Sequence, residues 1–152
     1  MRASVRRQTE IAAPADAVWA VVTRADVLAT WFPGLREVVM RTPTVRTVTT
    51  GIGLSLDEEI LTNDPLQRRF QYRISGGFFR EHLASVDVIP LADDRCLVTY
   101  ASDADPATMA IVLGGVMEGA LTSLKQQLET GSGPALDAIA VPPVVPAEGA
   151  SV

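Results

Sequence analysis

The stretch that decides the fold is PATMAIVLGGVMEGALTSLKQQL, residues 106–128. Met109, Val112, Leu113, Val116, Met117, Ala120, Leu121, Leu124 and Leu128 recur at steps of three and four, the spacing of one face of an α-helix. Asp105 and Pro106 are placed to cap and open that helix, and Gly131 to stop it. At 1.5 Å per residue the helix is roughly 35 Å long. Its apolar stripe needs a surface to cover it, and the strands that precede it are the available one.

Working back towards the N-terminus, the period changes from 3.6 to 2. Residues 3–11 alternate, with Val5, Arg7, Thr9 and Ile11 on one side. Pro14 opens a short helix with Asp16 in its first turn and Val18, Trp19 and Val22 on its packing face. A second helical piece spans Asp26 to Thr30 and ends at Trp31-Phe32-Pro33-Gly34. Strands follow at 35–41, 45–50 and 54–63, separated by Thr42-Pro43-Thr44 and Gly51-Ile52-Gly53. Phe70, Tyr72 and Ile74 alternate with arginines and a glutamine. Residues 79–89 place Ala84, Val86 and Val88 with His82, and residues 95–102 place Val98 and Tyr100 with Cys96. Turns this short join antiparallel neighbours, because a parallel crossover needs a dozen or more residues. The fold class is therefore α+β: a curved antiparallel sheet of about seven strands wrapped around a long C-terminal helix, with two short helices after the first strand.

Composition narrows the function classes. A chain of 152 residues that is 47% hydrophobic makes one domain with a substantial core. A net charge of −5 offers no basic stripe for nucleic acid. One cysteine, Cys96, cannot form an internal disulfide, so it reads as a buried thiol in a reducing, cytoplasmic setting. The N-terminus lacks the apolar core of a signal peptide, and no uninterrupted apolar run of 18 residues argues for membrane insertion. One histidine and one cysteine provide no metal cluster, Gly51-Ile52-Gly53 is a turn rather than a phosphate loop, and no serine lies in a nucleophile elbow. No cofactor is implied. From Gly131 the prolines and glycines multiply, so residues 131–152 read as an extended or disordered tail beyond a domain of residues 1–130. Docking of Leu136–Val145 on the domain or on a neighbour is the alternative.

In order and spacing, these pieces resemble the polyketide cyclase/dehydrase branch of the START-like superfamily, whose members include birch-allergen-like and lipid-transfer proteins. The matching residues are Ala13-Pro14-Ala15-Asp16-Ala17-Val18-Trp19, Asp26 with Trp31 and Pro33, and Glu58-Glu59-Ile60 leading to Asp64-Pro65. Further matches are Arg69 to Tyr72, Val86-Asp87-Val88-Ile89-Pro90, and the helix ending Leu124-Lys125-Gln126-Gln127-Leu128-Glu129. Two positions depart from the pattern: no glycine precedes Arg46 on the third strand, and Tyr100 stands where a tryptophan is usual. The resemblance implies a helix-grip fold with an apolar cavity between sheet and C-terminal helix, and a lipid, polyketide or similar hydrophobic ligand. It supplies no common catalytic motif.

Alternation puts a few polar groups on the same face as the apolar ones. Arg7, Glu58, Tyr72, His82 and Tyr100 are the candidates for orienting a ligand, and Val98, Met109, Leu113 and Met117 for its apolar wall. Three functions follow. The first is a carrier or binder of a hydrophobic molecule. The second is a cyclase or dehydratase in which His82 or Glu58 moves a proton while Arg7 or a tyrosine polarises a carbonyl. The third is an interaction module whose cavity is filled. A monomer or a homodimer fits each. Gly114, Gly115 and Gly119 weaken the middle of the long helix, either to make it pliable or to let it pack closely.

Overall fold

The computed structural model describes residues 1–144 and 146. Seven strands form one sheet: β1 (Ala3–Ile11), β2 (Leu35–Thr42), β3 (Val45–Thr50), β4 (Ser55–Asp64), β5 (Arg69–Ile74), β6 (Glu81–Ala92) and β7 (Arg95–Asp105). Their order across the sheet is β1-β7-β6-β5-β4-β3-β2, and every neighbouring pair is antiparallel. A short helix α1 (Ala15–Val22) and a single 3-10 segment (Ala25–Thr30) follow β1, and the long helix α2 (Ala107–Thr130) follows β7.

The inner face is the one alternation marks. Ile11, Val48, Phe70, Tyr72, Ile74, Ala84, Val86, Val88, Cys96, Val98 and Tyr100 are all buried there. The sheet remains open, so β1 and β2 are its two edges. Helix α2 lies over β1 and β7. On β2 the pairing with β3 is irregular between Leu35 and Glu37 and again between Met40 and Thr42, and Arg36, Glu37 and Arg41 are exposed.

Helix α2 buries most of the expected stripe, Met117, Ala120, Leu121, Leu124 and Leu128, with Met109 and Leu113 half-buried. Its first half, however, is turned so that Ala110 and Gly114 face the sheet. Ala110, Gly114, Met117, Ala120, Leu121, Leu124, Gln127 and Leu128 are buried, whereas Val112 and Val116 point outward. The cause is close packing at Gly114, where an added Cβ would lie 2.9 Å from both Val5 Cγ2 and Arg7 Nη2. The N-terminal half of α2 is apolar all round, so spacing alone could not choose among its faces. Gly115 faces open space, and Gly119 sits at ordinary contact distance from Pro33. By length and mean composition α2 is apolar enough to cross a membrane, although Thr108 and Glu118 interrupt its apolar run. Packing on β1 and β7 accounts for the apolarity of its inner face, while Ile111, Val112 and Val116 are exposed.

Both ends of α2 are informative. Gly131 takes the left-handed conformation (φ 72°) and donates to the Gln127 carbonyl, as a C-terminal stop should. Asp105 does not cap the N-terminus; it closes β7 and pairs with Arg80, and Pro106 occupies the cap position without a side-chain bond. The segment expected to be an unstructured tail begins instead with a helix, α3 (Pro134–Ile139). Gln127 accounts for its docking. Its Oε1 accepts from the Ala135 amide at 2.8 Å and its Nε2 donates to the Thr30 carbonyl at 3.0 Å, joining α2, α3 and the 3-10 segment. Ala135 is completely buried. Val145 and residues 147–152, the rest of the expected tail, lie outside the described residues.

Candidate functional site

Antiparallel register places Arg46 of β3 directly opposite Glu58 of β4, both on the inner face. The Arg46 Nε donates to Glu58 Oε2 at 2.7 Å, and both side chains are almost fully buried. Neither charge could remain there alone, since an unpaired buried ion loses its hydration without compensation. Arg46 Nη1 also donates to the Ala25 carbonyl at 2.9 Å, tying the 3-10 segment to the sheet. Its guanidinium lies 5.1 Å from the Tyr72 ring centre and 5.4 Å from that of Phe70, within cation–π range.

Beyond this pair, the Tyr72 and Tyr100 hydroxyls are hydrogen-bonded to each other. Burial pushes both phenols above their ordinary pKa, and for Tyr72 the neighbouring Tyr100 adds to the rise. The rings of Trp31 and Phe32 pack against Tyr100 at centroid distances of 6.4 and 6.3 Å. The Trp31 Nε1–H is the one buried side-chain polar atom without a hydrogen-bond partner among the described residues.

His82 occupies the place where the β5–β6 ladder ends. Paired residues run from Arg69 and Asp87 to Tyr72 and Ala84; farther on, the Ile74 amide donates to His82 Nδ1 at 3.0 Å. The side chain thus replaces a main-chain acceptor. With Nδ1 accepting, the proton belongs on Nε2, which donates to Ser102 Oγ at 3.1 Å. Burial lowers the pKa to about 4, against a smaller opposing effect from Asp103, so the ring is neutral near pH 7.

Trp31, Arg46, Tyr72 and Tyr100 border one enclosed space of about 10 Å³, with Phe70 and Val86 on its apolar side. That is room for about one water molecule. Larger crevices of about 570 and 290 Å³ flank the 3-10 segment and β2 beneath residues 138–146, and one of about 460 Å³ lies at the open end of β5 and β6. They are roomier but shallower. The enclosed space has the convergent polar side chains on the inner face, so it is the better candidate.

Of the residues singled out from the sequence, Glu58, Tyr72, Tyr100 and His82 lie in one connected inner cluster. Val98 and Met117 are fully buried, while Met109 and Leu113 are half-buried against the core. Arg7 stands apart. It shares the inner face, opposite Tyr100, but β1 is an edge strand, and the side chain runs out beneath α2 towards Glu118 at 3.8 Å. The site residues that alternation did not select are Arg46 and Trp31. Arg46 could have been found by pairing β3 with β4 about the Gly51–Gly53 turn, which puts it across from Glu58.

A family model described as polyketide cyclase/dehydrase and lipid transport matches residues 2–129. The chain belongs to this family. No curated protein matches it in sequence. A START superfamily protein from Mycobacterium smegmatis superposes with a TM-score of 0.74 at 15% identity, covering 85% of this chain and 99% of the other. Norcoclaurine synthase from Thalictrum flavum, in complex with dopamine and hydroxybenzaldehyde, gives 0.68 at 16% identity, covering 88% and 90%. The di-domain ARO/CYC BexL from the BE-7585A biosynthetic pathway gives 0.72 at 18% identity, covering 84% of this chain and 46% of that longer one. At these identities the likeness establishes the helix-grip fold and no more. As a polyketide cyclase/dehydrase and lipid-transport family member, the protein falls in a class whose description joins hydrophobic ligands with their conversion.

Proposed function

We propose that this protein binds a hydrophobic small molecule between the inner face of its sheet and α2. The observation that carries the reading is a small space on the inner face where Trp31, Arg46, Tyr72 and Tyr100 converge, with Leu28, Phe70 and Val86 on its apolar side. The family description supports the same ligand class. The enclosed space admits one water-sized atom, so a larger guest requires lining side chains such as Leu28, Phe70 and Val86 to give way.

Binding is favoured over turnover because the candidate proton carriers are occupied. Glu58 is held by Arg46, both His82 nitrogens are engaged, and the tyrosines are held protonated. A cytoplasmic location belongs to the same proposal, supported by the buried, unpaired Cys96.

The test is titration with the fluorescent apolar probe N-phenyl-1-naphthylamine, together with native mass spectrometry of gently purified protein. Saturable one-site binding, or a co-purified apolar molecule that the probe displaces, is expected. Neither would leave an interaction module with a filled interior as the function.

A further inference from the structure

We infer that Arg24 is a gate: a guest passes from the crevices beside the 3-10 segment to the inner space when this side chain swings out, and Asp26 and the segment after α3 latch it shut. The inference rests on the binding function proposed above and adds its route of entry.

Position is the first observation. The enclosed space and the two crevices of about 570 and 290 Å³ have one lining residue in common, and it is Arg24. The crevice at the open end of β5 and β6 shares none with that space. A guest in either of the first two crevices is therefore one side chain away from the inner face. Val27, Val38, Met40 and Ile60 give these crevices apolar walls, and their volumes suit a small molecule.

The second observation is how Arg24 is held. Its Nε and Nη2 donate to the two Asp26 carboxylate oxygens at 2.8 and 2.9 Å, and its Nη1 donates to the Val141 carbonyl at 3.0 Å. Val141 lies just beyond α3, so the element that Gln127 docks also supplies the third bond. None of these three bonds goes to the sheet. Arg46 is the contrast, since its partner Glu58 belongs to the neighbouring strand.

The third is what stays fixed around it. Thr23 makes two bonds with Asn63 of β4, at 2.8 and 3.0 Å, and the Ala25 carbonyl accepts from Arg46 at 2.9 Å. The main chain is thus pinned on both sides of Arg24 while its side chain hangs on Asp26 and Val141. The Arg24 and Asp26 side chains are 16% and 20% exposed, so water can replace the bonds that break. Rotation of one side chain, without unfolding of the segment, opens the wall.

The test is stopped-flow fluorescence of N-phenyl-1-naphthylamine entering the full chain, with Kd from equilibrium titration. Asp26→Asn loosens the latch without bordering the inner space, Arg24→Met removes the guanidinium, and Arg80→Met alters the rival crevice. Where a gate limits entry, the observed rate levels off as probe concentration rises. The latch is closed both before and after entry, so weakening it lowers the barrier and leaves the affinity alone. Asp26→Asn is expected to raise the plateau and the dissociation rate together by about fivefold, with Kd unchanged within about twofold. Arg24→Met raises both rates as well and keeps the test decisive if Asp26→Asn fails to fold. Arg80→Met leaves them at the unaltered values.

Rates unchanged in both gate variants, or raised equally by Arg80→Met, overturn the gate while leaving hydrophobic binding intact. An observed rate that climbs linearly without a plateau does the same. Faster dissociation alone, with a weaker Kd, also overturns it, because the pair then braces the site and bars nothing. Failure of the unaltered protein to bind the probe overturns the function on which the gate rests.

Discussion

Two adjacent glycines in α2 give opposite answers to the same substitution. At Gly115 an added Cβ meets nothing within 4 Å, so Gly115→Ala keeps only the gain from helix propensity, about 1 kcal/mol. For a chain of this length that raises Tm by about 2–4 °C. At Gly114 the same gain opposes a collision, because the new methyl lies 2.9 Å from Val5 Cγ2 and from Arg7 Nη2. The guanidinium is the end of a flexible chain and can swing aside. Val5 is β-branched and fixed in β1, so α2 must shift instead. Overpacking of this kind costs about 1–3 kcal/mol, which cancels or exceeds the propensity gain. Gly114→Ala should therefore lie about 1–3 kcal/mol below Gly115→Ala in stability. Urea unfolding of the two variants measures the difference, and adding Val5→Ala to Gly114→Ala should recover most of it as a coupling energy. Equal stabilisation by both alanines would refute the seating of α2 on β1 at this turn.

Two further outcomes concern the inner cluster. His82 is charged in the unfolded chain below about pH 6.5 but stays neutral in the fold down to about 4. The unfolded state thus binds the extra proton between those values. This contribution to stability is present above pH 6.5 and is lost as pH falls towards 4, by on the order of 3 kcal/mol. His82→Asn, whose side-chain oxygen can still accept from Ile74, should flatten the stability-versus-pH curve in that window, measured by denaturant unfolding. Glu58→Gln leaves Arg46 charged and poorly compensated and should cost about 3–5 kcal/mol, whereas Arg46→Met with Glu58→Leu should recover most of that loss; a double variant as unstable as the single one would contradict this.

The strands were legible because buried residues alternate with more exposed ones, a pattern that β5 and β7 show along their whole length. Alternation also put Glu58, Tyr72, His82 and Tyr100 on the correct face. It could not reveal that β1 is an edge, which sends Arg7 outward, since strand order depends on pairings between distant segments. In α2, Met117, Ala120, Leu121, Leu124 and Leu128 are buried as their spacing indicates. The facing of its first half was illegible for a different reason. Apolar residues encircle its first half, and a glycine that approaches β1 closely leaves no hydrophobic mark in the spacing. Helix α3 was missed because six residues between prolines and glycines carry little helical preference of their own; Gln127, far along the chain, supplies the bonds that hold them. The unmet donor on Trp31 is a property of packing, invisible until neighbours on four elements are in place.

The outer strand β2 bears on what becomes of this protein at high concentration. An uncovered strand of regular geometry invites another chain to continue the hydrogen-bonded ribbon. Here two breaks in regularity and the outward charges of Arg36, Glu37 and Arg41 spoil that template. The vulnerable border of the open sheet is thereby guarded against self-recruitment into fibres.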